Sequence, residues 1–385
     1  MVDRALVISS RFPWPPVTGD RGRAIAWLEA LTPRAAVTLV APGGEVPAGG
    51  PHFGFVSAGR SPARVTAAAW QTLLSGLPAT TLLAAGYDWP HALATAEREG
   101  GPFDVAVVLL ARLDPWVFPH LGAGRRVLDA IDSLAANLEE RARAARGPVH
   151  LLWRLEARRT GRLERDAAAR YDRVLVIAEA ERAAFGERSR AIFHGVRLGN
   201  RATGPREFDV GFWGRLAYFA NRDAARVLLE KIWPRVRLAR PNATLLIAGA
   251  DAPPFVRRRS GRDGVTVVSP MAHRSKLLRR VRVALFPVRY GSGQSTRVPE
   301  AAEASCALVA TPEAVRGLDA IAAEAVVERE PEQLAAAVLG LLADPAAAAA
   351  RGERLRLVAE RELSRAEGCR RLAEAVLGDD PARTA

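Results

Sequence analysis

Short apolar runs alternate with amphipathic segments along the first half of the chain. The runs are rich in Val, Leu, Ile and Ala, and they cover 5–10, 36–42, 103–110, 125–132 and 171–178. Between the last two runs, the charged segment 133–170 is predicted to be one long helix. Short apolar runs separated by helices are typical of strands in βα units. The pattern therefore predicts a parallel sheet flanked by helices.

A polar segment at 197–209 interrupts this alternation, which then restarts. The later apolar runs cover 210–214, 243–250, 264–269, 281–288 and 306–312, with 325–330 as a shorter candidate and a helical, alanine-rich region from 331 onward. We predict an α/β protein of two doubly wound, Rossmann-like domains, residues 1–200 and 205–385, that face each other across a cleft. The last helix can cross back to the first domain. In such sheets, ligands bind beyond the carboxyl ends of the strands.

The length and composition narrow the class of protein. A chain of 385 residues suffices for two ordinary domains. It has no run of about 18 uncharged apolar residues, so we expect no transmembrane helix, and the N-terminus is predicted to be a first strand. Cys306 and Cys369 lack the spacing of a zinc site or a disulfide framework, which favours a reducing cytoplasm.

The formal net charge of +13 comes almost entirely from arginine, because Lys231 and Lys276 are the only lysines. Together with abundant alanine, this is consistent with codon bias in a GC-rich genome. The functional interpretation is attraction to anionic partners, either sugar nucleotides or an anionic membrane surface. Nucleic acid is disfavoured, since aromatic and basic residues do not interleave and no basic tail occurs.

The stretch 289–305, RYGSGQSTRVPEAAEAS, carries the clearest candidate chemistry. It leads from an apolar strand through a loop of Gly, hydroxyl and amide residues into a helix with Pro299 in its first turn. The N-terminus of a helix offers unpaired N–H donors to an anion, and Arg297 adds a fork of donors suited to phosphate. Glu300 can accept hydrogen bonds from two vicinal hydroxyls, as on a ribose. The alternative is an ordinary loop with a helix-capping glutamate.

Weaker candidates lie at the ends of other predicted strands. Gly214 and Arg215 end one strand, where Arg215 would point toward a diphosphate unless it is a surface arginine. Gly19 follows a proline-rich exit from the first strand, where a glycine lets a ligand approach the backbone. Asp129 and Asp132 lie at the carboxyl end of another strand and could orient an acceptor hydroxyl; alternatively, Asp132 and Ser133 cap the long helix.

The stretches FWGRLAYFANRDA, PNATLLIAGA, GVTVVS and ALFPVRYGSGQSTRVPEAAEASCALVATPEAVRGL resemble, in this order, the C-terminal half of retaining glycosyltransferases of family four, which have the GT-B fold. FPWPPVTGDRGRAIAWLEAL is similar to the N-terminal segment of a subgroup found with exopolysaccharide gene clusters. RRVLDAIDSLAANLEERA, RLERDAAARYDRVLVIAEAERAAF and FHGVRLG resemble the middle region of that subgroup. The resemblance covers nearly the whole chain.

The resemblance implies that the second domain binds a nucleotide-diphosphate sugar. Glu300 matches the glutamate that holds the ribose hydroxyls, Arg215 matches a phosphate-contacting arginine, and Gly19 matches a glycine beside the donor diphosphate. The loop whose backbone donors meet the β-phosphate corresponds to Gly293, Gln294, Ser295 and Thr296.

The chain departs from the family pattern at three places. Ser292 stands where relatives have a second glutamate that contacts the donor sugar. Asn221 replaces a common lysine, and Arg297 is the candidate replacement for its charge. Many relatives have a histidine near the acceptor in the first domain; His120 is a candidate by region only, with a surface or structural role as the alternative.

These features predict a glycosyltransferase that moves a sugar, with retention, from a UDP-, GDP- or dTDP-sugar to a hydroxyl of a sugar, a lipid-linked acceptor or another small molecule. Arg215, Arg297 and the loop amides are placed to stabilise the leaving diphosphate. We expect no cofactor, and no metal because no Asp-x-Asp cluster occurs at a plausible strand end. The expected location is the cytoplasm. If the arginines at 139–147 and 153–166 contact lipid, the protein would bind the inner face of the plasma membrane; the alternative is that they form a solvated helix face. The alternatives are an inactive partner subunit, suggested by Ser292, and a nucleotide-sugar epimerase or hydrolase.

Overall fold

A computed structural model describes residues 2–16, 18–47, 51–61, 66–67, 70, 72, 74–199, 204–271, 273–290 and 297–378. The chain divides into two compact units, Met1–His194 with Arg365–Ala385, and Gly195–Ser364. The first unit therefore ends at His194, ahead of the polar segment predicted to join the two domains near residue 205. The last helix belongs to the first unit.

The first unit contains a seven-stranded parallel sheet of order β3-β2-β1-β4-β5-β6-β7. Its strands are β1 Arg4–Ile8, β2 Ala36–Pro42, β3 Gly54–Ala58, β4 Phe103–Leu109, β5 Ala123–Ile131, β6 Arg173–Val176 and β7 Ser189–Ala191. Alternate residues of β1 enter two separate cores: Ala5 and Val7 pack on one face of the sheet, and Leu6 and Ile8 pack on the other. Both faces of the sheet are therefore buried, as the apolar runs predict.

The second unit contains a six-stranded parallel sheet of order β10-β9-β8-β11-β12-β13. Its strands are β8 Phe208–Trp213, β9 Leu245–Ala248, β10 Val265–Val268, β11 Val281–Phe286, β12 Ala307–Ala310 and β13 Val326–Val327. In both sheets the strand order reverses direction beside the first strand of the unit. The prediction of two doubly wound, Rossmann-like domains is confirmed.

Helices connect the strands. Among the described residues of the first unit, the α-helices include α1 Gly19–Leu31, α2 Leu82–Ala85, α3 Trp89–Gly100, α4 Asp114–Val117, α5 Leu134–Ala144, α6 Pro148–Arg170 and α7 Arg182–Phe185. In the second unit they are α8 Phe219–Val227, α9 Trp233–Ala239, α10 Pro254–Arg257, α11 Arg274–Leu278, α12 Arg297–Glu303, α13 Asp319–Ala322, α14 Pro331–Ala343 and α15 Pro345–Glu362. The last helix, α16 Arg365–Leu377, returns to the first unit.

The segment predicted as one helix, 133–170, is a hairpin of α5 and α6. Gly147 between them has a φ of +64°, in the left-handed region, and Pro148 begins the second helix. A left-handed residue cannot continue an α-helix, and proline is favoured in a first helical turn. These two residues therefore divide the segment, and the single-helix prediction is wrong.

Helix α16 packs against α1 and completes a core of the first unit. Leu372, Ala373 and Val376 share that core with Trp27 and Leu28, and all five side chains are fully buried. In addition, the Arg125 guanidinium donates to the carbonyl of Val376 at 2.6 Å. The last helix is thus an integral part of the first unit.

Within the described residues, no single helix has both the length and the apolar character needed to cross a bilayer. The two helices α14 and α15 meet that test only together, and they are bent by 107° relative to each other.

Candidate functional site

Two glycines allow close packing at the carboxyl edge of the second sheet. Gly214 follows β8 with a φ of 141°, and Gly249 follows β9 with a φ of 151°. A Cβ atom on Gly249 would lie 1.7 Å from the carbonyl oxygen of Gly214, and one on Gly214 would lie 3.1 Å from Cδ of Arg297. Any side chain at these positions would collide with backbone or push Arg297 away. The glycines therefore bring α12 onto the end of β8.

Glu300 on α12 is held at this edge by two donors from distant parts of the chain. Its Oε2 accepts from Trp213 Nε1 at 2.9 Å, and its Oε1 accepts from the Arg274 guanidinium at 2.8 Å. Burial raises the pKa of Glu300, and the charge of Arg274 opposes this shift. The side chain of Glu300 is 13% exposed, whereas that of Arg274 is 57% exposed. A ligand hydroxyl can therefore reach Oε1 if the exposed end of Arg274 moves aside.

Arg297 lies one turn before Glu300 on the same helix. Its guanidinium donates to Asn221 Oδ1 and lies 5.8 Å from the centre of the Phe286 ring. Burial lowers the pKa of Arg297 to about 10, and the nearby Glu300 carboxylate opposes this shift. The guanidinium is therefore still charged at neutral pH. The structure thus places a carboxylate and a partly desolvated cation next to each other beyond the end of β8.

Arg215 is connected to this group through its backbone. Asn221 Nδ2 donates to the Arg215 carbonyl at 2.8 Å, so one amide side chain contacts both candidate arginines. The guanidinium of Arg215, however, is 73% exposed and pairs with Asp251 at 3.0 Å. The loop residues Gly293, Gln294, Ser295 and Thr296, together with Ser292, lie outside the described residues.

In the first unit, four polar side chains gather at the carboxyl edge of the sheet. Arg112 donates to Ser10 Oγ at 3.2 Å, and the same nitrogen lies 3.6 Å from Asp20 on α1. Arg112 Nε is buried with no hydrogen-bond partner within the described residues. Asp132 contributes to the electrostatic environment of Arg112. Gly19 begins α1 beside Asp20, and a Cβ atom on Gly19 would meet nothing within 4 Å, so the space in front of it is open.

Asp132 follows β5 in a cluster of carboxylates. Burial, and then the nearby Glu181 carboxylate, raise the pKa of Asp132 to about 6. Ser133 is the N-cap of α5, because its Oγ accepts from the Ala136 amide at 3.1 Å. Glu164 accepts from Ser133 Oγ at 2.8 Å, and burial raises the pKa of Glu164 to about 7. Ser133 therefore caps α5, and Asp132, with a pKa of about 6, is ionised for the most part at neutral pH.

Two sequence candidates of the first unit lie away from this edge. Asp129 is fully buried, where it accepts from Arg23 Nε at 2.6 Å and from Trp27 Nε1 at 2.5 Å, so it fastens α1 to β5 and does not face a ligand. His120 is exposed and precedes β5, which begins at Ala123. It therefore lies at the amino edge of the sheet, opposite Asp132. The structure does not bring His120 together with the other candidates.

Sequence reasoning missed Trp213, Arg274 and Arg112. Trp213 is the last residue of an apolar strand, and nothing in the sequence shows that its indole N–H donates to a distant carboxylate. Arg274 and Arg112 stand among many other arginines. Among the residues that the structure describes, no group of three or more His, Cys, Asp or Glu side chains could hold a metal ion.

Known structures share this fold over nearly the whole chain. Sucrose-phosphate synthase from Thermosynechococcus elongatus is 16% identical with a TM-score of 0.68, covering 97% of this chain and 98% of that one. Anabaena HepE in complex with UDP and glucose is 15% identical with a TM-score of 0.64, covering 97% and 99%. TarM is 10% identical with a TM-score of 0.67, covering 97% and 98%. The fold is thus that of GT-B glycosyltransferases.

The family model described as "Glycosyl transferases group 1" matches residues 207–344, which lie in the second unit. This region contains Gly214, Arg297 and Glu300. No curated protein matches the chain at a significant level. The second unit is therefore similar to the group 1 glycosyl transferases, and the resemblance found in the sequence is confirmed at this level; family four and the exopolysaccharide subgroup stay predictions.

Proposed function

We propose that the protein is a retaining glycosyltransferase of the family-four type, which moves a sugar from a nucleotide-diphosphate sugar to an acceptor hydroxyl. The observation that carries this proposal is the position of Glu300 and Arg297 on one helical turn beyond the end of β8. A carboxylate suits a pair of ribose hydroxyls, and a buried guanidinium suits phosphate oxygens. The match of residues 207–344 to group 1 glycosyl transferases supports the same class.

Glu300 would bind the ribose of the donor. Trp213 fixes one carboxylate oxygen from behind, so the orientation of the group is set before the ligand arrives. The exposed end of Arg274 would give up its bond to Oε1 in favour of the hydroxyls. Arg297, the amides of 293–296 and Arg215 would then contact the diphosphate; for Arg215 this requires that its guanidinium leave Asp251.

In the reaction, the bond between the anomeric carbon and the diphosphate oxygen breaks, and both electrons pass to the diphosphate. The acceptor oxygen bonds to the anomeric carbon on the same face, and its proton passes to the departing diphosphate oxygen. Negative charge grows on the diphosphate as the bond lengthens, so fixed cations beside it lower the barrier. Because Arg297 already supplies such a charge, we propose that catalysis needs no metal.

The acceptor would bind to the first unit at its carboxyl edge. Asp132 would accept a hydrogen bond from the reacting hydroxyl, and the free Nε donor of Arg112 would contact a neighbouring oxygen. The HepE complexes with UDP and with UDP-glucose make uracil the first base to test. We propose a sugar or lipid-linked acceptor and a role in polysaccharide synthesis. We also propose a cytoplasmic location, which suits Cys306 and Cys369 because no disulfide joins them.

The test is turnover of UDP-, GDP- and dTDP-sugars by the purified protein, measured as release of the nucleoside diphosphate with and without candidate acceptors. The expected result is release that depends on one base, continues in EDTA and is lost in Arg297→Ala. Proton NMR of the product should show the anomeric configuration of the donor. A protein that binds a nucleotide but releases none from any donor would instead be an inactive partner subunit. Inhibition by EDTA that Mg²⁺ restores would refute metal independence alone.

A further inference from the structure

Three leucines at the start of α6 are turned toward solvent. Leu151 is 66% exposed, Leu152 62% and Leu155 47%, and Val149, two residues before Leu151, is 51% exposed. The fully buried side chains on the packed face of α6 begin at Ala157 and continue through the later turns. Positions 151 and 155 are four residues apart and so form one stripe, opposite to the packed face. These leucines contribute nothing to the core.

The exposed leucines belong to an ordered part of the fold. Helices α5 and α6 pack against each other along their length, and their connection at 145–147 forms the end of the hairpin. His150 Nδ1 lies 2.8 Å from the carbonyl oxygen of Ala142, and the Arg141 guanidinium covers the Trp153 ring at 5.7 Å. These contacts fix the first turns of α6 to the last turn of α5. The leucines are therefore presented by a defined surface.

The charge around the leucines is strongly positive. Residues 141–159, here called the hairpin tip, contain six arginines and one glutamate; the arginines are Arg141, Arg143, Arg146, Arg154, Arg158 and Arg159. The glutamate, Glu156, turns toward the protein and accepts from the Thr80 amide at 3.2 Å. The outer face of the tip thus combines large apolar side chains with cations, of which Arg143 pairs with Glu139 of the preceding turn at 3.7 Å.

We propose that the hairpin tip docks onto an anionic lipid bilayer. Leucines enter the boundary between headgroups and acyl chains, while arginines along the same helix contact lipid phosphates. The positive charge of the hairpin tip argues against a second copy of this chain as the partner that covers the leucines. In a two-fold dimer the tip would meet itself, and its arginines would face arginines.

The experiment is vesicle flotation of the purified chain without donor or acceptor, so its outcome does not depend on the proposed activity. Vesicles of phosphatidylcholine are compared with vesicles in which about 30% of the lipid is phosphatidylglycerol, at low and high salt. The test variant is Leu151→Gln/Leu152→Gln/Leu155→Gln. The control is Leu238→Gln on α9, since Leu238 is 86% exposed in the other unit.

We expect the parent and the control to float with the anionic vesicles only, and less at high salt, because the arginine contribution is screened. The triple variant should partition about tenfold or more weakly, since three leucines no longer enter the bilayer. If that variant fails to fold, Arg154→Gln/Arg158→Gln gives an independent test and should weaken binding to anionic vesicles. A parent that stays with the unbound fraction at low salt overturns the proposal, as does a triple variant that floats like the control. If light scattering shows that the parent is a dimer and the triple variant is a monomer, the tip is an interface between two copies of the chain and the proposal is wrong.

Discussion

Replacing Glu300 by glutamine tests the donor site most directly. The amide oxygen can still accept from Trp213 Nε1, so the side chain keeps its anchor in the variant. The outer atom becomes an NH₂ group, which cannot accept from a ribose hydroxyl. The lost bond is charge-assisted and worth about 1.5–3 kcal/mol. We therefore expect the Kd for the preferred nucleoside diphosphate to rise about 10- to 150-fold.

The measurement is isothermal titration calorimetry of the nucleoside diphosphate, with thermal unfolding as a check of the fold. Glu303→Gln is the matched control, because Glu303 ends the same helix but bonds to Ser275 Oγ and the Gly199 amide. Affinity of the control should equal that of the parent. Equal affinity of Glu300→Gln and the parent would refute the assignment of Glu300 to the ribose.

The pH dependence of binding gives a second readout of the same group. Burial raises the pKa of Glu300, so its carboxylate takes up a proton at a higher pH than an ordinary glutamate does. Protonation removes the charge that accepts the hydroxyl bonds, and the affinity of the parent should fall as the pH falls through that pKa. The glutamine variant has no such proton to bind. A parallel loss of affinity in both proteins would assign the titration to another group.

Two further predictions concern the diphosphate contacts and a buried carboxyl. Arg215→Ala and Arg297→Ala should each raise the barrier to transfer by about 2–4 kcal/mol. Because both guanidinium groups are proposed to contact the same diphosphate, the change in barrier in the double variant, measured from kcat/KM, should differ from the sum of the two single changes; strict additivity would show that the two arginines do not share a partner. Burial raises the pKa of Glu164 from 4.5 to about 7, so the folded chain binds a proton there more tightly than the unfolded chain does. The free energy of unfolding should therefore fall by about 3 kcal/mol as the pH rises from 4.5 to about 7. Urea unfolding of Glu164→Gln should show a flatter profile, and an unchanged slope would contradict the assignment.

The sequence was sufficient to predict most of the fold because its strands are buried on both faces. Such strands appear as continuous apolar runs, and nearly all of them were located. Two edge strands were missed, β3 Gly54–Ala58 and β7 Ser189–Ala191. Edge strands are short and partly exposed, so their residues carry no comparable run. Ser189–Ala191, for example, contains an exposed arginine at its centre.

The site was less predictable because its parts come together through tertiary contacts. Glu300 could be named from its place after a Gly-rich loop, but its partners Trp213 and Arg274 lie 87 and 26 residues away. Asp129 illustrates the opposite error. It lies three residues before Asp132, and an odd spacing along a strand turns two side chains to opposite faces of the sheet. The face of Asp129 is the one that α1 covers, where Arg23 and Trp27 bind the carboxylate. The sequence does not show which helix covers which face.

The return of α16 to the first unit reverses the usual order of folding during synthesis. Domains generally fold in the order in which they leave the ribosome. Here the second unit, Gly195–Ser364, is a continuous insertion, and all its residues emerge before α16 is made. The first unit must wait with the surface of Trp27 and Leu28 uncovered until Leu372 and Val376 arrive. In this chain, the unit that begins first is completed last.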